Sequence, residues 1–350
     1  MIDSLAAVAP GRPLREGLDR ILQANMGALI VVGDGPEVLA ICSGGFLLDA
    51  EFTPQRLSEL AKMDGAIVLA KDASRIARAN VHLVPNPNVP TSETGTRHRT
   101  AERVARSLDV PVISVSEDMS IVAVYRGDMK HPLDPIPRLL NRANTALQTL
   151  ERYKNRLDTV SGSLSALEVE DLVTVRDVMT VLQRAEMVRR IAEEIDGFIV
   201  ELGSDGRLVL LQLDELMGGV EDDRRLVIKD YFRQGEDDFS LEEALTLLSD
   251  LTTEDLLDLK GVAEVLHLAG PAGELDTSAQ PRGYRLLSKI PRLPEAIIEK
   301  IVARFGTLQK IMRATTNELD DVEGVGEARA RAIKEGLSRL AESSILDRYT

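Results

Sequence analysis

A sustained seven-residue repeat constrains this chain more than any other feature. Ala143, Leu150, Leu157 and Leu164 stand seven apart, and Ala146, Tyr153, Val160 and Leu167 follow three later in each heptad. Apolar residues at that period share one side of an α-helix. The spacing therefore predicts one helix from 137 to about 171, roughly 50 Å long at 1.5 Å per residue and longer than a small domain is wide. Only Gly162 weakens the pattern locally. A second amphipathic helix is expected from Val175, Val178, Met179, Leu182, Ala185, Val188, Ile191 and Ile195. The two read as a rigid spacer whose seam is ordinary core between neighbouring helices of one chain rather than a coiled coil between subunits. Residues 199–211, broken by Gly203 and Gly206, fit a hairpin or an interrupted helix, and the acidic, leucine-rich stretch 214–260 reads as a solvated helical surface.

The residues before this helix follow a different rhythm. Short apolar runs at 28–32, 38–41, 66–70, 81–84, 112–115 and 121–125 are each bounded by Gly, Pro, Asp or Asn, as strands are. Between them 14–26, 54–63 and 99–108 carry apolar residues at helical spacing, with Thr53 placed to cap a helix that opens on Pro54. The pattern is that of an α/β domain with one central sheet over 1–136, followed by an all-α spacer over 137–280. A chain of 350 residues accommodates two or three domains.

Composition excludes several functions. The net charge of −15 and a pI near 4.9 argue against coating nucleic acid or anionic membrane over the whole surface, so any such contact must be local. The absence of Trp and an aromatic content of 3% count against recognition by base stacking. No stretch approaches the roughly 18 consecutive apolar residues of a membrane span. Cys42, the single cysteine, cannot form an internal disulfide, and the N-terminus lacks the basic start and apolar core of a secretory signal, so a cytoplasmic location is expected.

The segment from Gly270 to Gly273 and on to Gly283 reads as a linker, and beyond it the charge reverses. Residues 281–350 hold thirteen Lys and Arg against ten Asp and Glu. They also contain a weak repeat, in which Ile290-Pro-Arg-Leu-Pro-Glu-Ala296 aligns with Val322-Glu-Gly-Val-Gly-Glu-Ala328 at a shift of 32 residues. The second copy resembles the hairpin of the helix-hairpin-helix family, which binds DNA phosphates without reading sequence. Gly324, Val325 and Gly326 would bring backbone close to a phosphate, and the next helix would direct N–H groups and its positive dipole end at the anion. Arg329, Arg331 and Lys334 would add charge. Such contacts favour DNA shape over sequence and weaken steeply with salt. The first copy carries Pro291 and Pro294 where glycines are expected, and is read as the structural partner of a tandem pair.

Two motifs stand out in the α/β domain. Asp64-Gly65-Ala66 falls where a helix ends and a strand begins, and Gly95-Thr96-Arg97-His98-Arg99-Thr100-Ala101-Glu102-Arg103 runs from a loop into a helix. Each alone is weak, since Asp-Gly is a common turn. Their order and spacing, with Asn80-Val-His-Leu83 between them, closely resemble the diadenylate cyclase domain, and the sequence of domains resembles the DisA family from end to end. The resemblance implies condensation of two ATP into cyclic di-AMP and two pyrophosphates, a reaction carried chiefly by positioning and charge stabilisation. It implies that Asp64 is the catalytic carboxylate, holding Mg²⁺ or Mn²⁺ on the α-phosphate and helping to deprotonate the attacking hydroxyl. Gly65 and Ala66 would approach the nucleotide, Thr96, Arg97, His98, Arg99 and Thr100 would hold the triphosphate, Leu83 would back the adenine and Ser116 would touch phosphate. His98 is an alternative metal ligand.

One site holds one ATP and the product contains two AMP units, so two copies are expected to face each other about a two-fold axis. The family resemblance implies an octamer whose tails bind branched double-stranded DNA such as Holliday junctions, with DNA lowering the cyclase output. The alternatives are a DNA-structure sensor with a vestigial ATP domain and a nucleotidyltransferase acting on a macromolecule. His82, His131 and His267 read as structural, Cys42 as a small core residue and Gly44-Gly45 as a tight turn. Glu102 and Arg103 are explained equally by the family signature, a helix pair or a subunit contact.

Overall fold

The computed structural model describes residues 1–117, 119–232, 240–268 and 274–349, with backbone alone from 343. It divides into two compact units, Met1–Thr145 with Glu194–Gln212, and Ala146–Glu193 with Leu213–Thr350.

The first unit opens with helices α1 (Ile2–Ala7) and α2 (Pro13–Gln23), then β1 (Ala28–Val32), α3 (Pro36–Ala40), β2 (Cys42–Ser43), β3 (Phe46–Glu51) and α4 (Pro54–Leu60). It continues through β4 (Ala66–Leu69), β5 (Arg75–Leu83), α5 (Thr96–Leu108), β6 (Val112–Ser116), β7 (Ile121–Arg126) and β8 (Met129–Pro132). Among the described residues these make one eight-stranded mixed sheet in the order β2-β5-β4-β1-β6-β7-β8, with β3 also on β5. β1 and β4 run parallel, and the other pairings are antiparallel. All five residues of β1 are buried because both sheet faces are covered. Ala28, Ile30 and Val32 pack with Leu14, Leu18, Ile21 and Leu57 of α2 and α4, while Leu29 and Val31 pack with Ala101, Val104 and Ala105 of α5.

Thr53 caps α4 as expected, its side chain accepting from the Arg56 N–H. The run 38–41, expected as a strand, is mostly the short helix α3. Gly35 at its N-cap and Pro36 at its first position outweigh the apolar run. β3 escaped the periodicity because it lies at the sheet edge with Phe46, Leu47 and Leu48 exposed. Gly44 and Gly45 have φ of +66° and +76°, yet the chain does not reverse there. β2 and β3 pair with β5 in one direction and one register, Cys42 opposite Leu83 and Phe46 opposite Ala79, so the glycines break a single edge strand.

Helix α6 (Ile136–Glu170) is unbroken through Gly162, and Ala143, Leu150, Leu157 and Leu164 are all buried. It is followed by α7 (Val175–Leu202), and both helices contribute to both units. At 199–211 the interrupted-helix alternative holds: a 3-10 turn, Gly203–Gly206, joins α7 to α8 (Arg207–Met217). In the first unit, Glu201 accepts from His131 at 2.9 Å and Arg142 lies over the Phe198 ring.

The second unit adds α9 (Val220–Tyr231), α10 (Leu241–Asp250), α11 (Thr253–Leu257) and α12 (Leu259–Val265). The acidic stretch expected to be a solvated surface also supplies core: Val220, Val227, Ile228, Ala244, Leu248 and Leu256 are buried, and so are Arg224 and Asp230. Arg224 pairs at 3.0 Å with the fully buried Glu186 of α7. Of the expected linker, 270–273 lie outside the described residues. The part that follows is tied down, with Leu275 buried, Arg176 paired to Asp276 at 2.8 Å and the Val175 N–H donated to the Thr277 carbonyl. The tail folds as α13 (Tyr284–Ser288), α14 (Glu295–Phe305), α15 (Leu308–Arg313), α16 (Thr316–Asp320) and α17 (Gly326–Tyr349) around Leu287, Ile301, Leu308, Ile311, Leu319 and Ile333.

Candidate functional site

Sheet topology gathers the expected nucleotide residues at one end of the first unit. Parallel β1 and β4 begin there, antiparallel β5 and β6 end there, and α5 packs on β6 and β7 with its own start at Thr96. Asp64-Gly65 thus precedes β4, while Leu83 and Ser116 close β5 and β6.

Asp64 and Arg97, 33 positions apart in sequence, meet here, with Arg97 Nη2 donating to Asp64 Oδ1 at 3.1 Å. The Asp64 side chain is 98% exposed and that of Arg97 37%, so the pair is open to solvent and to a ligand. Gly27, just before β1, makes room for it: a Cβ there would lie 2.1 Å from Arg97 Nη1. Sequence reasoning missed Gly27, whose role is visible only once β1 and α5 are side by side.

α5 begins at Gly95 without a side-chain cap, so the N–H groups of its first turn face outward beside Thr96, Arg97 and Arg99. Thr96 and Arg99 are exposed, and the Thr100 hydroxyl donates back to the Thr96 carbonyl at 2.9 Å. His98 is half-buried, with its Nδ1 2.9 Å from the Tyr125 hydroxyl. Tyr125, 1% exposed on β7, donates to Glu93 Oε1 at 3.2 Å, and Lys130 Nζ pairs with the same oxygen. Burial holds His98 below the ordinary imidazole range; Glu93 opposes this, and the charges of Lys130 and Arg97 reinforce it. Burial, then the Glu93 carboxylate, raises Tyr125 well above the ordinary phenol value.

Glu102 and Arg103 anchor a loop. Thr91 Oγ1 and the Ser92 N–H donate to Glu102, Arg103 Nε donates to the Val89 carbonyl at 3.0 Å, and Arg106 pairs with Glu102 at 3.1 Å and donates to the Pro90 carbonyl. The i, i+4 pair is present, and its larger partner is the 89–93 segment that carries Glu93.

Four expected residues also make structural contacts. A Cβ at Gly65 would lie 2.4 Å from the Asn80 carbonyl carbon, so this glycine admits a strand crossing where Asn80 has φ +53°. Ala66 is buried in β4, and the Leu83 side chain lies in the core beside Cys42 and Ile41. Ser116 is half-buried and its hydroxyl accepts from the Met119 N–H at 3.4 Å. Cys42 donates to the Val38 carbonyl, and burial raises its thiol against the opposing charge of Arg78.

In the second unit, the turn into α17 has Gly324 at φ +89° and Gly326, the first residue of the helix, at +65°. Val325 is 2% exposed, so this residue anchors the loop in the core. Arg329 Nη1 donates to the Gly324 carbonyl at 2.6 Å, Arg331 pairs with Glu327, and Lys334 Nζ donates to the Met312 carbonyl at 2.7 Å, away from the hairpin. In the first copy, Arg292 stands opposite Gly324 and has φ +61°, so both hairpins share a left-handed residue at the same place. Arg292 is exposed, a cation the glycine pattern did not mark.

Among the described residues no group of three or more His, Cys, Asp and Glu could hold a metal by itself, and no helix is long and apolar enough to cross a membrane.

Residues 15–129 match the family described as DisA bacterial checkpoint controller nucleotide-binding, 133–274 the DisA bacterial checkpoint controller linker region, and 284–339 the SAM-like helix-hairpin-helix tandem. The DNA integrity scanning protein DisA of Frankia alni is 59% identical over 346 residues, covering 99% of this chain and 96% of that protein. DisA of Acidothermus cellulolyticus is 59% identical over 348 residues, covering 99% of this chain and 94% of that protein. DisA of Streptomyces coelicolor is 56% identical over 348 residues, with 99% and 93% covered. With three successive regions matched and the identity running from end to end, the chain belongs to the DisA family, its first unit carrying the family's nucleotide-binding domain and its tail a helix-hairpin-helix tandem.

Proposed function

We propose that the chain is a cytoplasmic diadenylate cyclase that condenses two ATP into cyclic di-AMP and two pyrophosphates, and that branched DNA bound at its tail lowers this output. The observation that carries the reading is the open Asp64–Arg97 pair beside the uncapped start of α5, inside a domain of the cyclase family. Each ribose 3′-oxygen forms a bond to the α-phosphorus of the other ATP, the bond from that phosphorus to pyrophosphate breaks, and the hydroxyl proton leaves to a base, either the Asp64 carboxylate or a bound water. Arg97, Arg99 and the N–H groups of α5 offset charge on the triphosphate. The second nucleotide comes from a second copy of the chain, since one site supplies only half of the product; an octamer with its DNA modules outermost meets this need.

The donor set fits Mg²⁺ or Mn²⁺. A single exposed carboxylate suits an ion that takes most of its remaining ligands from phosphate and water. Asp64 would hold it, with His98 the alternative, and the ion would polarise the α-phosphate. In the tail, the two left-handed hairpin residues and the start of α17 supply backbone to DNA phosphates, which reads shape and not sequence.

The test is to incubate the purified protein with ATP and either metal, with and without a four-way DNA junction, and to resolve nucleotides by mass. Cyclic di-AMP that falls on adding the junction is expected. Intact ATP with folded, junction-bound protein would replace the enzyme by a DNA-structure sensor, and AMP found on a macromolecule would make it a nucleotidyltransferase of another kind.

A further inference from the structure

The hydrogen-bond chain behind His98 has only one self-consistent direction. Lys130 Nζ sits against Glu93 Oε1, so this carboxylate is ion-paired and can only accept. The Tyr125 hydroxyl, 3.2 Å from the same oxygen, must therefore spend its single proton on Glu93. Its oxygen is left to accept, and the group 2.9 Å away is His98 Nδ1, which must then carry a hydrogen. In a neutral imidazole that leaves Nε2 bare. The ring edge opposite Nδ1 faces the entrance of α5: His98 Cδ2, bonded to Nε2, is 3.5 Å from where a side chain at Gly95 would begin. Nε2 has no partner among the described residues.

We propose that Tyr125 and Glu93 are positioning residues that fix His98 with its proton on Nδ1, so that it offers the nucleotide a lone pair and not a proton. Arg97, Arg99 and the outward N–H groups at the start of α5 all donate. His98 thus sets an acceptor beside these donors, suited to a ribose hydroxyl and closed to phosphate oxygen. Tyr125 is 1% exposed and lies 27 positions from His98, so it acts through the ring and never touches substrate. Misdirecting the tautomer of a catalytic histidine costs far more than its hydrogen bond alone.

The inference rests on the cyclase reading for its kinetic part only. The chain has four histidines, so solid-state NMR of the full protein labelled with ¹⁵N-histidine resolves the ring, assigned by the signal lost in His98→Gln. The wild type should show hydrogen on Nδ1 and bare Nε2, and Tyr125→Phe should shift population to the other tautomer. Hydrogen on Nε2 in the wild type, or no change in Tyr125→Phe, overturns the proposal. In turnover, Tyr125→Phe and Glu93→Gln should each lower kcat roughly 10- to 100-fold with KM for ATP unchanged, while Tyr125→Phe retains its thermal midpoint. An unchanged kcat, or a change confined to KM, also overturns it. A wild type that makes no cyclic dinucleotide fails the function and leaves the tautomer measurement to decide the inference.

Discussion

The Asp64–Arg97 and Glu168–Arg285 pairs have nearly equal lengths, 3.1 and 2.9 Å, and almost nothing else in common. Asp64 is 98% exposed and has this one polar partner among the described residues, whereas Glu168 and Arg285 are 1% and 0% exposed. Arg285 donates through Nε and Nη2 to the Glu168 carboxylate, through Nη1 to Ser161 and through Nη2 to Ser165, while Tyr231 donates to Glu168 at 2.7 Å. Beside them Asp230 accepts the N–H groups of Gly283, Tyr284 and Arg285, and burial, then the charge of Glu168, pushes it up to about 7 against those donors. The buried pair has every position filled, so its residues bolt α13 to α6 and α9. The exposed pair has most positions open to solvent, where a ligand can take the place of water. Saturation of hydrogen bonds, rather than the presence of charge, separates framework from site.

The sharpest way to break this contrast is Asp64→Asn. It should abolish cyclic dinucleotide formation while moving stability by no more than about 0.5 kcal/mol, read by nucleotide chromatography and calorimetry on one preparation. Full activity would remove Asp64 from the site. Arg285→Ala is the mirror experiment: it strands Glu168 in the core and should cost about 3–5 kcal/mol in the urea transition of the second unit. A cost below about 1 kcal/mol would place that pair with the surface ones. Gly326→Asp extends the test to the tail. A side chain is strained at φ +65°, and a carboxylate there meets phosphate, so junction affinity in a mobility-shift titration should fall at least tenfold, about 1.4 kcal/mol. Unchanged binding at physiological salt would locate the DNA contact elsewhere.

Glu102 is the intermediate case and the smallest effect. Burial pushes its carboxyl up, but the hydrogen bonds from Thr91 and Ser92 and the charge of Arg106 prevail and hold it below its ordinary 4.5. A depressed carboxyl contributes its stability above the ordinary value and loses it as pH falls through the folded one. Amide exchange at Ser92 and Glu93 should therefore quicken below about pH 4.5, and Glu102→Gln should flatten that dependence.

Legibility in the sequence followed the range of the interaction. The heptad of α6, the Thr53-Pro54 start of α4 and the five-residue run of β1 are local signals, and each marked its element. The run 38–41 misled because a short apolar stretch suits a strand or a buried helix equally, and the deciding Gly35-Pro36 lies outside it. β3 was silent because an edge strand with Phe46, Leu47 and Leu48 exposed has no inside to alternate with. The motif residues Asp64, Arg97 and His98 were legible as a family pattern. Their supports Gly27, Glu93 and Tyr125 were not, because each gains its role only when the fold brings distant segments together.

Gly65 carries a consequence for how such a protein would decay. Asp64 and Gly65 are adjacent in one motif, but the fold needs only the second, since any side chain at 65 would run into the Asn80 backbone. In a lineage released from making its product, Asp64 would drift at once while Gly65 persisted for as long as the sheet did. An intact glycine beside a lost aspartate would then record a retired enzyme that still folds.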